Sequence, residues 1–262
     1  MTRSFSQIKG LLLDLNGVFY TGEQLIKGAV EAIEFLKSNK IPHRFITNTT
    51  TESLDTFHNK LTQMGLPIDK SEMISSPYAA VLYLRQRGKP KCHLLLSEDT
   101  KKDFAEFPVS DTAPDFVVIG DIGDRWNYKL LNQAFQLLIN GAELIALHKG
   151  KYWQVEDGLR LDIGAFVTGL EYATGKTATV IGKPDSTFFK LALDELGLPN
   201  ENVAMVGDDI DSDVGGAKLM GLTGVLVKTG KYREESAARS EVQPDAVLES
   251  VADLKQILET KF

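Results

Sequence analysis

Asp14 ends the apolar run Leu11-Leu12-Leu13, and the turn-forming pair Asn16-Gly17 follows one residue later. A carboxylate placed there can attack phosphorus or hold a metal ion, and its plainer reading is a helix cap or turn former. Three other polar sites follow apolar runs in the same manner. Phe45-Ile46 leads to Thr47 and Asn48, and Val180-Ile181-Gly182 leads to Lys183. Val203-Ala204-Met205-Val206-Gly207 leads to Asp208 and Asp209, with Asp211 and Asp213 close behind. The set supplies a nucleophile, a hydroxyl, an ammonium and an acidic cluster. Phosphoryl transfer needs those groups: an attacking atom in line, donors and positive charge for the phosphoryl oxygens, and acids for a divalent cation. Each has a structural alternative. Thr47 could cap the helix that starts at Leu54, although Thr50 and Thr51 are available for that, and the acidic cluster could be a solvated helix N-terminus.

These groups could converge on one rim if each apolar run is a strand. Leu11 to Leu15 has no turn residue and reads as a central parallel strand covered on both faces. Ala29, Val30, Ile33 and Leu36 share a helical face, and Ile41 to Ile46 returns as a strand. Leu54, Phe57, Leu61 and Met64 keep helical spacing up to a Gly65 C-cap, and Ser75-Ser76-Pro77 opens another helix. The alternation predicts an α/β fold, a Rossmann-like doubly wound parallel sheet whose ligands sit at the carboxyl ends of the strands. The middle of the chain has its own strands at Lys91–Leu96, Phe116–Ile119 and Leu144–Leu147, and helices at Tyr128–Ile139 and Ala165–Ala173. That pattern predicts an inserted α/β cap domain over 79–178, with the core formed by 1–78 and 179–262. In this reading the core resumes near Thr179 with three more strands, and Lys231 to Pro244 is a surface segment without chemistry.

A chain of 262 residues can bury a sizeable core without staples. Its net charge of −7 argues against nucleic acid, whose phosphates need a basic surface, but not against small phosphorylated ligands beside a cation. No run of about 18 apolar residues is present to span a membrane, and the first residues do not resemble a signal peptide. The single cysteine, Cys92, has no internal partner and reads as a core residue of a cytoplasmic protein. A dinucleotide-binding reading fails because no glycine-rich turn opens a helix after the first strand.

The four motifs, in this order, resemble the haloacid dehalogenase-like hydrolase superfamily, and the inserted segment resembles its NagD-type capped branch. The stretches His148-Lys149-Gly150-Lys151-Tyr152-Trp153, Asp157-Gly158-Leu159, Thr168 to Ala173, Asp213 to Ala217 and Val227 to Tyr232 extend the resemblance along nearly the whole chain. It implies a magnesium-dependent phosphatase that passes a small compound's phosphoryl group through an aspartyl phosphate. Asp14 is then the nucleophile, and Asp14, the backbone carbonyl of Asn16 and Asp208 hold the metal. Asp209 and Asp213 stand behind these ligands, through water or by orienting Lys183. Asn16, Thr47, Asn48 and Lys183 face the substrate, Lys183 also serving catalysis. The cap selects the substrate, with Lys151, Tyr152 and Trp153 as its foremost residues, and pairs the chain into a homodimer.

One departure matters. Most phosphatases of the superfamily carry an Asp two residues after the nucleophile as general acid and base, and here that position is Asn16. An amide neither gives a proton to a leaving group nor takes one from water. The reading therefore favours phosphoramidate or pyrophosphate bonds, and its rival is a non-catalytic or very slow phosphometabolite-binding protein on the same fold.

Overall fold

The computed structural model describes residues 7–155 and 158–259; Asp157 and the side chains of Trp153 and Leu159 lie outside what is described. The chain separates into two compact units, Met1–Thr47 with Phe57–Ile74 and Lys183–Phe262, and Asn48–Thr56 with Ser75–Gly182.

The first unit begins with β1 (Gly10–Asp14), in which every residue is buried. Burying a leucine contributes about 1.5–3 kcal/mol, so Leu11, Leu12 and Leu13 anchor this strand at the centre of the core. Helix α1 (Ala29–Ser38) buries Ala29, Ala32, Ile33 and Leu36; Ala32 takes the place expected of Val30, which is half-buried. Next comes β2 (His43–Thr47), parallel to β1, with Leu13 opposite Phe45 and Asp14 opposite Ile46. Helix α2 (Leu54–Gln63) stops where expected, and Gly65 takes a left-handed φ of 93° while Leu66 N–H reaches back to the Leu61 carbonyl.

The start of α2 differs from the sequence expectation. Neither Thr50 nor Thr51 caps it; Ser53 Oγ accepts from Thr56 N–H at 3.3 Å. Asp99 accepts from Ser53 N–H at 2.7 Å, and Asp103 accepts from Leu54 N–H at 3.0 Å. Ser53, Leu54, Asp99 and Asp103 all belong to the second unit, and there two carboxylates distant in sequence satisfy the positive end of the helix, a solution that local pattern does not reveal. The first unit continues through β3 (Met73–Ser75), and helix α3 (Ser76–Arg85), which opens the long segment of the second unit, is capped as expected, with Tyr78 N–H on Ser75 Oγ and Pro77 in the first turn.

The second unit carries its own parallel sheet of β4 (Cys92–Leu95), β5 (Phe116–Ile119), β6 (Glu143–Ala146) and β7 (Thr179–Val180), in the spatial order β7-β6-β5-β4. Helices α4 (Tyr128–Ile139) and α5 (Gly164–Thr174) pack on one another, and their buried Ala134, Leu138, Val167 and Leu170 join Val117, Ile119 and Leu144 in one core. One expectation is corrected here. The strand before Lys183 does not belong to the core sheet: Thr179 pairs with Ile145 and Val180 with Ala146. A two-residue strand cannot specify its sheet by pattern, and the exposed edge of β6 decides.

Back in the first unit, α6 (Ser186–Leu196) leads to β8 (Val203–Gly207), which pairs in parallel with the other edge of β1, Leu13 opposite Val206. Then β9 (Thr223–Val227) and β10 (Ala246–Leu248) complete the spatial order β10-β9-β8-β1-β2-β3. The chain winds outward from β1 in one direction and from β8 in the other, so the switch point lies between them. Open α/β sheets bind ligands at the carboxyl ends of such a pair. Asp14 ends β1, and Asp208 follows β8.

Among the described residues no helix is long and apolar enough to cross a membrane. Cys92 is buried and unpaired, and burial, with the charge of Asp115 nearby, pushes its thiol up to about 12. A thiol reagent at pH 8 is therefore expected to modify the native protein far more slowly than the urea-unfolded chain. Equal labelling rates, followed by mass spectrometry, would contradict this burial.

Candidate active site

Asp14, Lys183, Asp208 and Asp213 are all buried. Asp14, Asp208 and Asp213 each offer a carboxylate oxygen within 4.8 Å of the others, among the described residues. Lys183 Nζ donates to Asp14 Oδ1 and pairs with Asp213 Oδ1 at 2.7 Å. Two of the three buried carboxylates thus pair with the one ammonium, and with all four groups ionised the cluster carries a net charge of −2. Burial pushes Asp208 up to about 6, helped by the charge of Asp14 and opposed by the Lys231 N–H. Burial also lifts Asp213, to about 7, against the pull of Lys183. Burial alone would lower the Lys183 ammonium, but Asp14 and Asp213 outweigh it and hold the group above its ordinary range. The cluster could hold a divalent cation, and an all-oxygen donor set suits magnesium.

Asp213 reaches the cluster by a wide helical turn. Asp209 starts it, its carboxylate accepting from Asp211 N–H at 3.1 Å and Ser212 N–H at 2.9 Å, while its carbonyl accepts from Asp213 and Val214. Asp213 Oδ2 in turn accepts from Asp209 N–H at 3.1 Å. Burial works against the charge on Asp209, yet the Ser212 donors and Lys231 hold its carboxyl below the usual range. Asp209 is therefore occupied by its own turn, whereas Asp213 belongs with Asp14 and Asp208.

The other expected positions are spread more widely. Thr47 is buried at the end of β2, one residue past the partner of Asp14. Asn48 is half-buried in the second unit and accepts from Ser76 Oγ at 3.3 Å. Asn16 is exposed, and the turn around it is closed by Gly17 N–H on the Tyr20 carbonyl at 2.7 Å. Lys151 and Tyr152 are exposed in the second unit.

Sequence reasoning missed the segment after β9. Lys231 N–H donates to Asp208 Oδ2 at 2.6 Å, and the Thr229 hydroxyl donates to the Gly17 carbonyl. Lys231, at the head of the segment expected to carry no chemistry, thus touches the acidic cluster through its backbone. The available signal was another apolar strand, Thr223 to Val227, followed by a hydroxyl and a glycine in the pattern of the first four sites.

The chain matches two family profiles, haloacid dehalogenase-like hydrolase over residues 11–109 and HAD-hydrolase-like over residues 180–254. It belongs to the haloacid dehalogenase-like hydrolase family, and it is an enzyme of the phosphatase class. It is 41% identical over 243 residues to haloacid dehalogenase-like hydrolase domain-containing protein 2 of Bos taurus, covering 93% of both chains. It is 39% identical over 258 residues to the phospholysine phosphohistidine inorganic pyrophosphate phosphatase of Xenopus laevis, covering 96% of this chain and 94% of that one. The crystal structure of a 4-nitrophenylphosphatase from Thermotoga maritima is similar with a TM-score of 0.88 at 29% identity, covering 96% of this chain and 98% of that one.

Proposed function

We propose that this phosphatase depends on magnesium and works through a phosphorylated Asp14 on a small phosphorylated compound. The observation that carries the reading is the meeting of Asp14, Asp208, Asp213 and Lys183 in one buried cluster. In the first step an Asp14 carboxylate oxygen attacks phosphorus, an acyl phosphate bond forms, and the bond from phosphorus to the leaving group breaks. In the second, water attacks the same phosphorus, inorganic phosphate departs and the Asp14 carboxylate is restored. Lys183 offsets the charge on the phosphoryl oxygens, Asp213 orients Lys183, and Thr47 and Asn48 donate hydrogen bonds to the substrate. Asp14, the Asn16 carbonyl and Asp208 would hold the magnesium ion, which supplies positive charge for the phosphoryl oxygens.

Without a carboxylic acid at position 16, the leaving group has no side-chain proton donor there. Bonds whose leaving group needs least help are then favoured, namely P–N bonds, where the nitrogen can carry its own proton, and P–O–P bonds, which release a stabilised phosphate. The likeness to a relative named for phospholysine, phosphohistidine and pyrophosphate supports this preference. A screen of phosphate release from sugar phosphates, phosphoramidates and pyrophosphate, with magnesium and then with chelator, tests the proposal. Release from a phosphoramidate or pyrophosphate that stops on chelation is expected; no release from any compound with magnesium present would overturn it.

The second unit is the cap of this reading, where substrates are selected and two chains pair. Light scattering is expected to give twice the chain mass at micromolar concentration; a single-chain mass throughout would remove the dimer. A reducing, cytoplasmic setting accords with the buried, unpaired Cys92.

A further inference from the structure

We propose that the loop Thr229–Gly230–Lys231, which carries no carboxylate, is the positioning element of the acidic cluster and governs how tightly the cluster holds a divalent cation. The inference rests on the metal-dependent reading above. The loop reaches the segments that follow both β1 and β8. Through Lys231 N–H it fixes Asp208 Oδ2 at 2.6 Å, and through the Thr229 hydroxyl it holds the Gly17 carbonyl in the turn after Asp14.

Between these two hydrogen bonds the backbones themselves meet. Gly17 has φ 88° and Gly230 has φ 58°, in the left-handed region that favours glycine. A Cβ on either residue would collide with Asp208 Oδ2, and one on Gly17 would lie 3.1 Å from Gly230 Cα. The Asp208 carboxylate is therefore wedged between two glycines and tied by one oxygen.

That restraint has a clear electrostatic use. Asp208 faces Asp14 in a buried setting, and like charges at that range repel. A carboxylate free to rotate would turn away from its neighbour, and the cation would have to bring the two together at a cost in affinity. A backbone N–H on Oδ2 removes that freedom before the cation arrives. The Lys231 side chain takes no part in this restraint: it is mostly exposed, with Nζ 3.8 Å from Asp209 Oδ2.

The test uses the full chain and Mn2+ as the probe, with free Mn2+ read by electron paramagnetic resonance at a temperature well below unfolding. Thr229→Val is expected to weaken Mn2+ binding about fivefold, the equilibrium equivalent of one hydrogen bond, and Thr229→Ser to stay close to wild type. Gly230→Ala, which displaces the carboxylate directly, is expected to weaken it by at least about tenfold. A loop that only closes the structure would lower the melting temperature in Thr229→Val and leave Mn2+ affinity unchanged, which overturns the proposal. If Gly230→Ala does not fold, the Thr229 pair decides the matter alone. Wild type that binds no Mn2+ removes the metal-dependent reading and the loop's role with it. Wild type that binds Mn2+ no better than Thr229→Val removes only the loop's role.

Discussion

Asp14→Ala is expected to abolish phosphate release, by at least about 10⁴-fold, while the protein remains folded. The size of the effect follows from the proposed chemistry: without the carboxylate there is no acyl phosphate, and water must attack the substrate directly. Retention of the fold follows from the charge balance at the site. Asp14 is one of two buried carboxylates paired with Lys183, and its removal leaves Lys183 paired with Asp213 at 2.7 Å. The variant sheds like-charge repulsion and orphans no ammonium, so loss of activity cannot be attributed to a stranded charge. Chelation should have the same effect on the native enzyme, reversed by adding magnesium. Initial rates together with circular dichroism decide the point; a folded alanine variant with wild-type rates would sink the mechanism.

Asn16→Asp is expected to act in the opposite direction, raising hydrolysis of simple sugar phosphates by about 10² to 10⁴, the usual worth of general acid–base catalysis. Asn16 is exposed, and the turn that carries it is fixed by the backbone bond from Gly17 to Tyr20. An aspartate of nearly the same shape can occupy the position without moving that turn. In the native enzyme, with no base at position 16 to activate water, the acyl phosphate should accumulate. Rapid mixing should then show a burst of leaving group followed by slow release of phosphate. An Asn followed by Gly is prone to deamidation, so the mass of the peptide containing Asn16 must be verified before rates are compared. Undeamidated wild type that cleaves sugar phosphates as fast as Asn16→Asp would show that position 16 does not set the preference.

The residues at the end of β1 and β8 were legible because their information is local. Leu11 to Leu13 and Val203 to Val206 are short continuous apolar runs of the kind a buried parallel strand carries, and an acid follows each, directly at Asp14 and after Gly207 at Asp208. The parallel α/β architecture followed from the same alternation. Lys183 was picked out for its position after an apolar run, but the sheet to which that run belongs was misjudged. Val180 pairs with Ala146, a choice made by an available edge and not by the residues themselves. The expected role of Asp213, orienting Lys183, accords with their 2.7 Å pair, but spacing along the chain does not reveal the wide turn that folds this carboxylate back onto Asp209 N–H. The contribution of Lys231 was invisible for a different reason. It is made by a peptide N–H, which every residue but proline possesses, so residue type carries no trace of it.

The position of β1 between β2 and β8 has a consequence for synthesis on the ribosome. One neighbour of β1 emerges soon after it, whereas the other emerges only after the entire second unit has been made. Lys183 is 169 positions from the carboxylate it neutralises, and Asp208 and Asp213 come later still. A nascent or prematurely ended chain that stops before Val203 therefore exposes an unpaired strand edge beside β1 and carries the proposed nucleophile without its acidic partners. Catalytic competence and closure of the sheet are completed by the same late segment, so a truncated product is inactive for the same reason that it is prone to aggregate.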